Sequence, residues 1–190
     1  MLISTVVTGV GGQGIVSATD IIAAVALNAG LDVKKSDVHG MAQRGGAVVS
    51  FVRYGDRVFS PIIERGTADY LIALEELEAL RGIAYLKDTG TVILSNLHSP
   101  PPEVALGYKS YPEHIDEQLV KIKPGIHCSK ADVKGMLKQH PAYSINMFLL
   151  GIYAGFQSFE KMLWLDAIKN RFQKPGNATE SFLYGMNQRG

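Results

Sequence analysis

Cysteine is nearly absent: Cys128 is the only one in 190 residues. That excludes a disulfide scaffold, a Cys-based zinc site and an iron–sulfur cluster held by this chain alone. An excess of charge of one sign is missing too, with 19 Lys and Arg against 18 Asp and Glu and a net charge of +1. No global positive field exists to neutralise phosphates, so a nucleic-acid role is not expected. The longest apolar stretch, Ile145 to Phe156, is interrupted by Asn146 and falls short of the ~18 residues a membrane span needs. Met1-Leu2-Ile3-Ser4 has no basic region ahead of its apolar run, so a signal peptide is not expected and a cytoplasmic location is. His114, His127, Cys128 and His140 lack metal-ligand spacing, and no Ser sits in a G-x-S-x-G elbow; no metal and no α/β-hydrolase site are expected. Charged residues make up 19%, below the ~25% of an average soluble domain. A chain so short of charge is expected to have part of its surface covered by another protein.

What is present reads as one domain over residues 1–190, with 46% hydrophobic residues and no repeat or low-complexity tract. Leu2 to Thr8 is an apolar, β-branched run that ends in Gly9-Val10-Gly11-Gly12-Gln13-Gly14. Helical spacing follows at Ile15, Ala18, Ile22, Val25, Ala26 and Ala29, with Gly30 placed as a C-terminal cap. Val33 to Asp37 reads as a second strand. Ala47 to Tyr54 and Arg57 to Ile63 read as a hairpin about Gly55-Asp56. Tyr70 to Leu74 and Gly90 to Ser95 read as further strands, with a helix from Glu75 to Leu86 between them. Ser99-Pro100-Pro101-Pro102-Glu103 is a stiff connection. Helices are expected over Ser129 to Gln139, Tyr143 to Phe156 and Glu160 to Phe172, and Asn177 is expected to cap a last one toward Met186. The expected fold is a three-layer α/β/α domain with a mostly parallel sheet, an inserted β-hairpin and a helical C-terminal third.

Gly9, Gly11 and Gly14 form G-x-G-x-x-G between a strand and a helix. Such a turn leaves room for a ligand and aims free amides and a partial positive charge at an anion. Three readings stand: a dinucleotide, with Asp37 as the ribose-binding acid; another phosphate-bearing ligand; or glycines serving only tight packing. Against the first, the chain enters a glycine-rich loop and a hairpin after its second strand, not a helix. That loop carries His39, Gln43 and Arg44 up to Gly45 and Gly46, and Arg44 is suited to fork onto a carboxylate or phosphate or to tie the loop to a partner. Asp69, Glu75, Glu76 and Glu78 cluster where acids favour a helix N-terminus, or where an acidic patch docks a partner. Asn146, inside an apolar helix, needs a hydrogen-bond partner, with a backbone group the expected one and the glycine turn within consideration.

Read in order, the glycine turn, His39-Gly40-Met41-Ala42-Gln43-Arg44-Gly45-Gly46-Ala47-Val48-Val49-Ser50, Phe59-Ser60-Pro61-Ile62-Ile63, Gly66-Thr67-Ala68-Asp69 and Leu74-Glu75-Glu76-Leu77-Glu78-Ala79-Leu80-Arg81 form a series. It resembles the gamma subunits or domains of 2-oxoacid:ferredoxin oxidoreductases, and among them the beta subunit of the indolepyruvate type. The resemblance implies an accessory subunit, inactive alone, of an enzyme that oxidatively decarboxylates indolepyruvate or another aryl 2-oxoacid to an acyl-coenzyme A and passes electrons to ferredoxin. Thiamine diphosphate, magnesium and iron–sulfur clusters are then expected on a large alpha subunit, with coenzyme A as cosubstrate and no cofactor held by this chain alone. On this view Gly9, Gly11, Gly12, Gln13, Gly14, Arg44, Gly45 and Gly46 help bind coenzyme A or substrate, and no catalytic residue is assigned. Pairing of the chain with itself in isolation is left open. The alternatives are a free-standing NAD(P)-dependent oxidoreductase and a nucleotide-sensing regulatory domain.

Overall fold

Neighbouring residues in the strands send their side chains to opposite faces, and apolar residues at both parities make a sheet buried on both sides. Val6, Leu71 and Val92 pack on one face, whereas Val7, Ile72 and Ile93 pack on the other. The computed structural model describes residues 2–39 and 46–188. Six strands, β1 (Leu2–Val10), β2 (Asp32–His39), β3 (Ala47–Gly55), β4 (Ala68–Ala73), β5 (Leu86–Ser95) and β6 (His127–Ala131), form one sheet in the order β2-β3-β1-β4-β5-β6. The pairs β1–β4, β4–β5 and β5–β6 are parallel, and β3 runs antiparallel to both of its neighbours.

Helix α1 (Ile15–Asn28) lies on one face with α5 (Val133–Gln139), α6 (Ile145–Ala154), α7 (Lys161–Arg171) and α8 (Gly176–Met186). Helices α2 (Glu76–Gly82) and α4 (Ile115–Ile122) cover the other face; a single turn, α3 (Pro102–Ala105), precedes α4. The three-layer, mostly parallel arrangement is as expected. Gly30 closes α1 at φ +81°, its amide bonding the Leu27 carbonyl while Leu31 bonds that of Ala26, the paired bonds of a Schellman cap. Trp164, Tyr153, Phe148 and Phe182 are fully buried in the helical layer, each stabilising by roughly 2–3 kcal/mol through burial.

Four expectations are corrected. The inserted hairpin is β2–β3, not β3 with Arg57 to Ile63. Gly55 pairs with Leu2 on one side and Asp32 on the other, so β3 has no free edge. The 57–63 backbone is instead bonded by side chains: Arg53 Nη1 donates to the carbonyls of Ser60 and Ile62, and Asp32 accepts from the Val58 amide. Residues 127–131 form an edge strand where the start of a helix was expected, because only Ser129 and Ala131 turn inward and the apolar signal is weak. The helix after β4 stops at Gly82; a 3-10 turn follows at Ile83–Tyr85 and β5 begins at Leu86. Asn177 lies inside α8, and Pro175 occupies the cap position.

The α6–α8 contact needs glycine on both helices. A Cβ on Gly151 would strike the Phe182 carbonyl, and one on Gly185 the Phe148 carbonyl. Gly151→Ala is expected to cost about 1–3 kcal/mol by overpacking. Gly176→Ala, whose Cβ meets open space, should leave stability unchanged or up to ~1 kcal/mol higher. Urea unfolding of the two variants checks this contrast.

Candidate functional site

In an open sheet of this kind ligands bind beyond the carboxyl ends of the strands, at the point where successive connections depart in opposite directions. That point lies between β1, whose chain leaves through α1 toward β2, and β4, whose chain leaves through α2 toward β5. The glycine turn occupies it. Gln13 closes the turn: its Oε1 accepts the Val10 amide at 2.7 Å, and its own amide donates to the Val10 carbonyl at 3.1 Å. Gly9 leaves space for that side chain, since a Cβ there would sit 2.6 Å from Gln13 Oε1 and 3.0 Å from Leu74 Cβ. Gly12 and Gly14 adopt φ +98° and +81°, which side-chain-bearing residues rarely tolerate.

Ala18 supplies the first amide of α1 to find a helical acceptor, Gly14 O at 3.1 Å. The amides of Ile15, Val16 and Ser17 take no acceptor among the described residues. No acid lies in this first turn, so the helix end keeps its partial positive charge. Gly46 belongs to the same place: its carbonyl accepts the Gly11 amide at 2.9 Å. The start of β3 therefore lies beside the glycine turn. Arg44 and Gly45 lie outside the described residues, as does Gln43.

Asn146 reaches the turn from α6. Its Nδ2 donates to the Gly14 carbonyl at 2.9 Å, and its Oδ1 accepts from the Met147 amide and the Ser144 hydroxyl. Ser144 is in turn bonded through its amide to Ser181 Oγ on α8 at 2.7 Å. The expected backbone partner of Asn146 is thus the glycine turn itself. Asp37 is differently engaged: its carboxylate accepts from Ser50 Oγ and pairs with Lys35 at 3.1 Å. With β3 lying antiparallel between β1 and β2, the strand–helix–strand unit of a dinucleotide half is not formed.

On the β4 side, Glu75 is the acid that organises the corner. Its carboxylate, only 1% exposed, accepts from the amides of Glu78 and Ser99, each at 3.0 Å, and from the Tyr111 hydroxyl. These bonds join the start of α2 to two loops at the same sheet end. Sequence reading placed Glu75 at a helix start but had no signal for partners 24 and 36 residues away. Burial pushes the Glu78 carboxyl above its ordinary range, and the Arg81 guanidinium beside it only partly offsets this. Burial also pushes the Cys128 thiol up, away from the thiolate that metal binding or nucleophilic attack requires. Among the described residues no three of His, Cys, Asp and Glu converge as a metal site, and no helix is long and apolar enough to cross a membrane.

The family model for pyruvate ferredoxin/flavodoxin oxidoreductase matches residues 4–190. The chain belongs to this family. An indolepyruvate oxidoreductase subunit IorB from Archaeoglobus fulgidus is 41% identical over 161 residues, covering 83% of this chain and 79% of that protein. The IorB of Pyrococcus horikoshii is 45% identical over 107 residues, covering 56% of this chain and 53% of the relative. With that relative and the one from Thermococcus kodakarensis the match spans little more than half of their length. The same fold occurs in a keto/oxoacid ferredoxin oxidoreductase gamma subunit from Geobacter sulfurreducens, at TM-score 0.69, 21% identity and coverage of 97% and 96%. It occurs again in a 2-oxoglutarate:ferredoxin oxidoreductase from Magnetococcus marinus, at TM-score 0.74 and 19% identity, covering 98% of this chain and 30% of that one. The family's fold thus occurs both as a small chain and as a part of a larger one.

Two predictions test the site's construction. Asn146→Ala should cost about 1–2 kcal/mol. Gly14→Ala should cost less in that background than in the wild type, because the Asn146 amide it would strike is gone while the left-handed strain stays; a double-mutant cycle in urea measures the coupling. Glu78, with its folded pKa raised, contributes stability fully below the unfolded value of about 4.5, and that contribution is lost as pH rises through the higher folded value. Glu78→Gln stays neutral, so its stability relative to wild type should improve from pH 4 toward pH 7. A difference independent of pH would show that Glu78 is not held in a desolvated state.

Proposed function

We propose that the chain is the small accessory subunit of an indolepyruvate-type 2-oxoacid:ferredoxin oxidoreductase and is inactive without a larger partner. The observation that carries this is the 41% identity to the Archaeoglobus IorB across most of both chains; a Methanothermobacter IorB at 35% over 159 residues supports it. A pyruvate synthase subunit PorC from Methanocaldococcus jannaschii is more distant, at 30% over 105 residues, which favours an aryl 2-oxoacid over pyruvate as the substrate.

In this reading the large subunit carries thiamine diphosphate, magnesium and the iron–sulfur clusters. The donor set of this chain does not fit a cluster: one cysteine supplies one of the four thiolates required. Gly55-Asp56-Arg57 does not fit a diphosphate–magnesium motif either, since Gly55 ends a strand paired on both sides. The chain's own part is at the glycine turn. The free amides of Ile15, Val16 and Ser17 and the turn Gly9, Gly11, Gly12, Gln13 and Gly14, with Arg44, Gly45 and Gly46 from the neighbouring loop, face an anionic group, either the phosphates of coenzyme A or the carboxylate of the 2-oxoacid. Ferredoxin takes the electrons from the assembled enzyme, in the cytoplasm.

The test is an anaerobic assay with indolepyruvate, coenzyme A and an oxidised acceptor, on the chain alone and co-expressed with its large subunit. Turnover in the pair only is the expected result, with indolepyruvate preferred to pyruvate. Arg44→Ala in the pair should raise the KM for coenzyme A or for the 2-oxoacid. Nicotinamide-dependent turnover by the lone chain would overturn the assignment.

A further inference from the structure

Between β3 and β4 the chain spends residues 56–67 without regular structure, held by side chains from the neighbouring strands. Arg53 on β3 spans from Ser4 Oγ on β1 to the carbonyls of Ser60 and Ile62, at 3.2, 3.1 and 2.9 Å. Asp32 on β2 accepts the Val58 amide at 2.8 Å. Farther along, Gly66 donates to the Ala84 carbonyl and Thr67 Oγ1 to that of Glu64. Val58 and Ile63 are buried anchors, 4% and 2% exposed. The residues between them point the other way: Phe59 is 81% exposed and Ile62 54%. A scattered surface apolar residue is ordinary, but here two charged side chains and two buried anchors are used to hold an aromatic ring outward.

The chemistry of the tip narrows what it meets. The Arg57 guanidinium lies 4.7 Å from the centroid of the Phe59 ring and has no carboxylate partner among the described residues. An aromatic ring with an adjacent guanidinium that has no carboxylate partner among the described residues, on a backbone already bonded in place, has the properties of an interface anchor. We propose that residues 56–67 are a rigid docking knob for the large subunit, with Phe59 seating in an apolar pocket whose rim offers a carboxylate to Arg57. The proposal rests on the accessory-subunit reading and adds to it the contact and its chemistry. A second copy of this chain is the alternative occupant that the experiment below distinguishes. The large partner also agrees with the Magnetococcus chain, in which this fold accounts for 30% of the length. The knob lies by the amino ends of β1 and β4, at the end of the sheet opposite the glycine turn, so a substitution in it does not touch the proposed ligand site.

The experiment measures the dissociation constant of the co-expressed pair for wild type, Phe59→Ala, Arg57→Glu and, as a control at another exposed apolar position, Leu27→Ala (58% exposed in the wild type). Phe59→Ala should weaken association by at least about tenfold, with the thermal unfolding of the isolated subunit unchanged. Arg57→Glu should weaken it most at low salt, while Leu27→Ala has no effect. At saturating subunit the KM for coenzyme A should be the same for Phe59→Ala and wild type. Wild-type association that Phe59→Ala leaves untouched would overturn the knob and spare the accessory-subunit reading; failure of the wild-type chains to associate would overturn both. A dimer of the isolated chain that Phe59→Ala dissolves would reassign the knob to a second copy.

Discussion

The antiparallel pairing of β3 between β1 and β2 is the constraint from which the two ends of the molecule take their form. Because β3 is bonded along both edges from Ala47 to Gly55, the loop that precedes it must start and end at the carboxyl side of β1. The segment that follows it must emerge at the amino side with no strand left to join. The first consequence places Gly46 against Gly11. The second sends residues 56–67 outward, held by Arg53 and Asp32 instead of by a ladder.

The glycine turn is built by side chains from three directions. Gln13 closes it from within, Leu74 bounds it from β4, and Asn146 holds its last carbonyl from α6. The Gln13 and Asn146 contacts satisfy polar groups that would otherwise bond water, and the amides at the start of α1 are left open among the described residues. Across the crevice Glu75 performs the corresponding task for the β4 corner, collecting two amides and a tyrosine hydroxyl on one carboxylate. Glu78 has one oxygen without a partner among the described residues, and burial holds its carboxyl above the ordinary range.

Features whose cause is local were legible in the sequence. The strand–turn–helix at the N-terminus, the Gly30 cap and the apolar helix α6 each follow from the spacing of residues within a few turns. The turn at Gly55-Asp56 was misread because its local preference for a hairpin is overridden by two neighbouring strands, which pair Gly55 with Asp32, 23 residues back, and with Leu2, 53 residues back. Strand β6 was misread because an edge strand with two inward residues carries little pattern. The family resemblance came from motifs in the first half of the chain, whereas the partners of Glu75 and Asn146 lie in the second. Asn146 signalled a need for a partner but not which one; Tyr111 gave no signal at all.

The bond between Asn146 and Gly14 joins residues 132 positions apart. Contacts that distant are the last to be gained as a chain folds, since the entropy of closing the loop must be met before they contribute. The β2–β3 pair, by contrast, closes over a short loop and can form early. During synthesis the Gly14 carbonyl therefore stays without this bond until α6 has left the ribosome and docked. Completion of the turn thus awaits the second half of the chain, and a fragment that ends before Asn146 lacks one of the turn's supports.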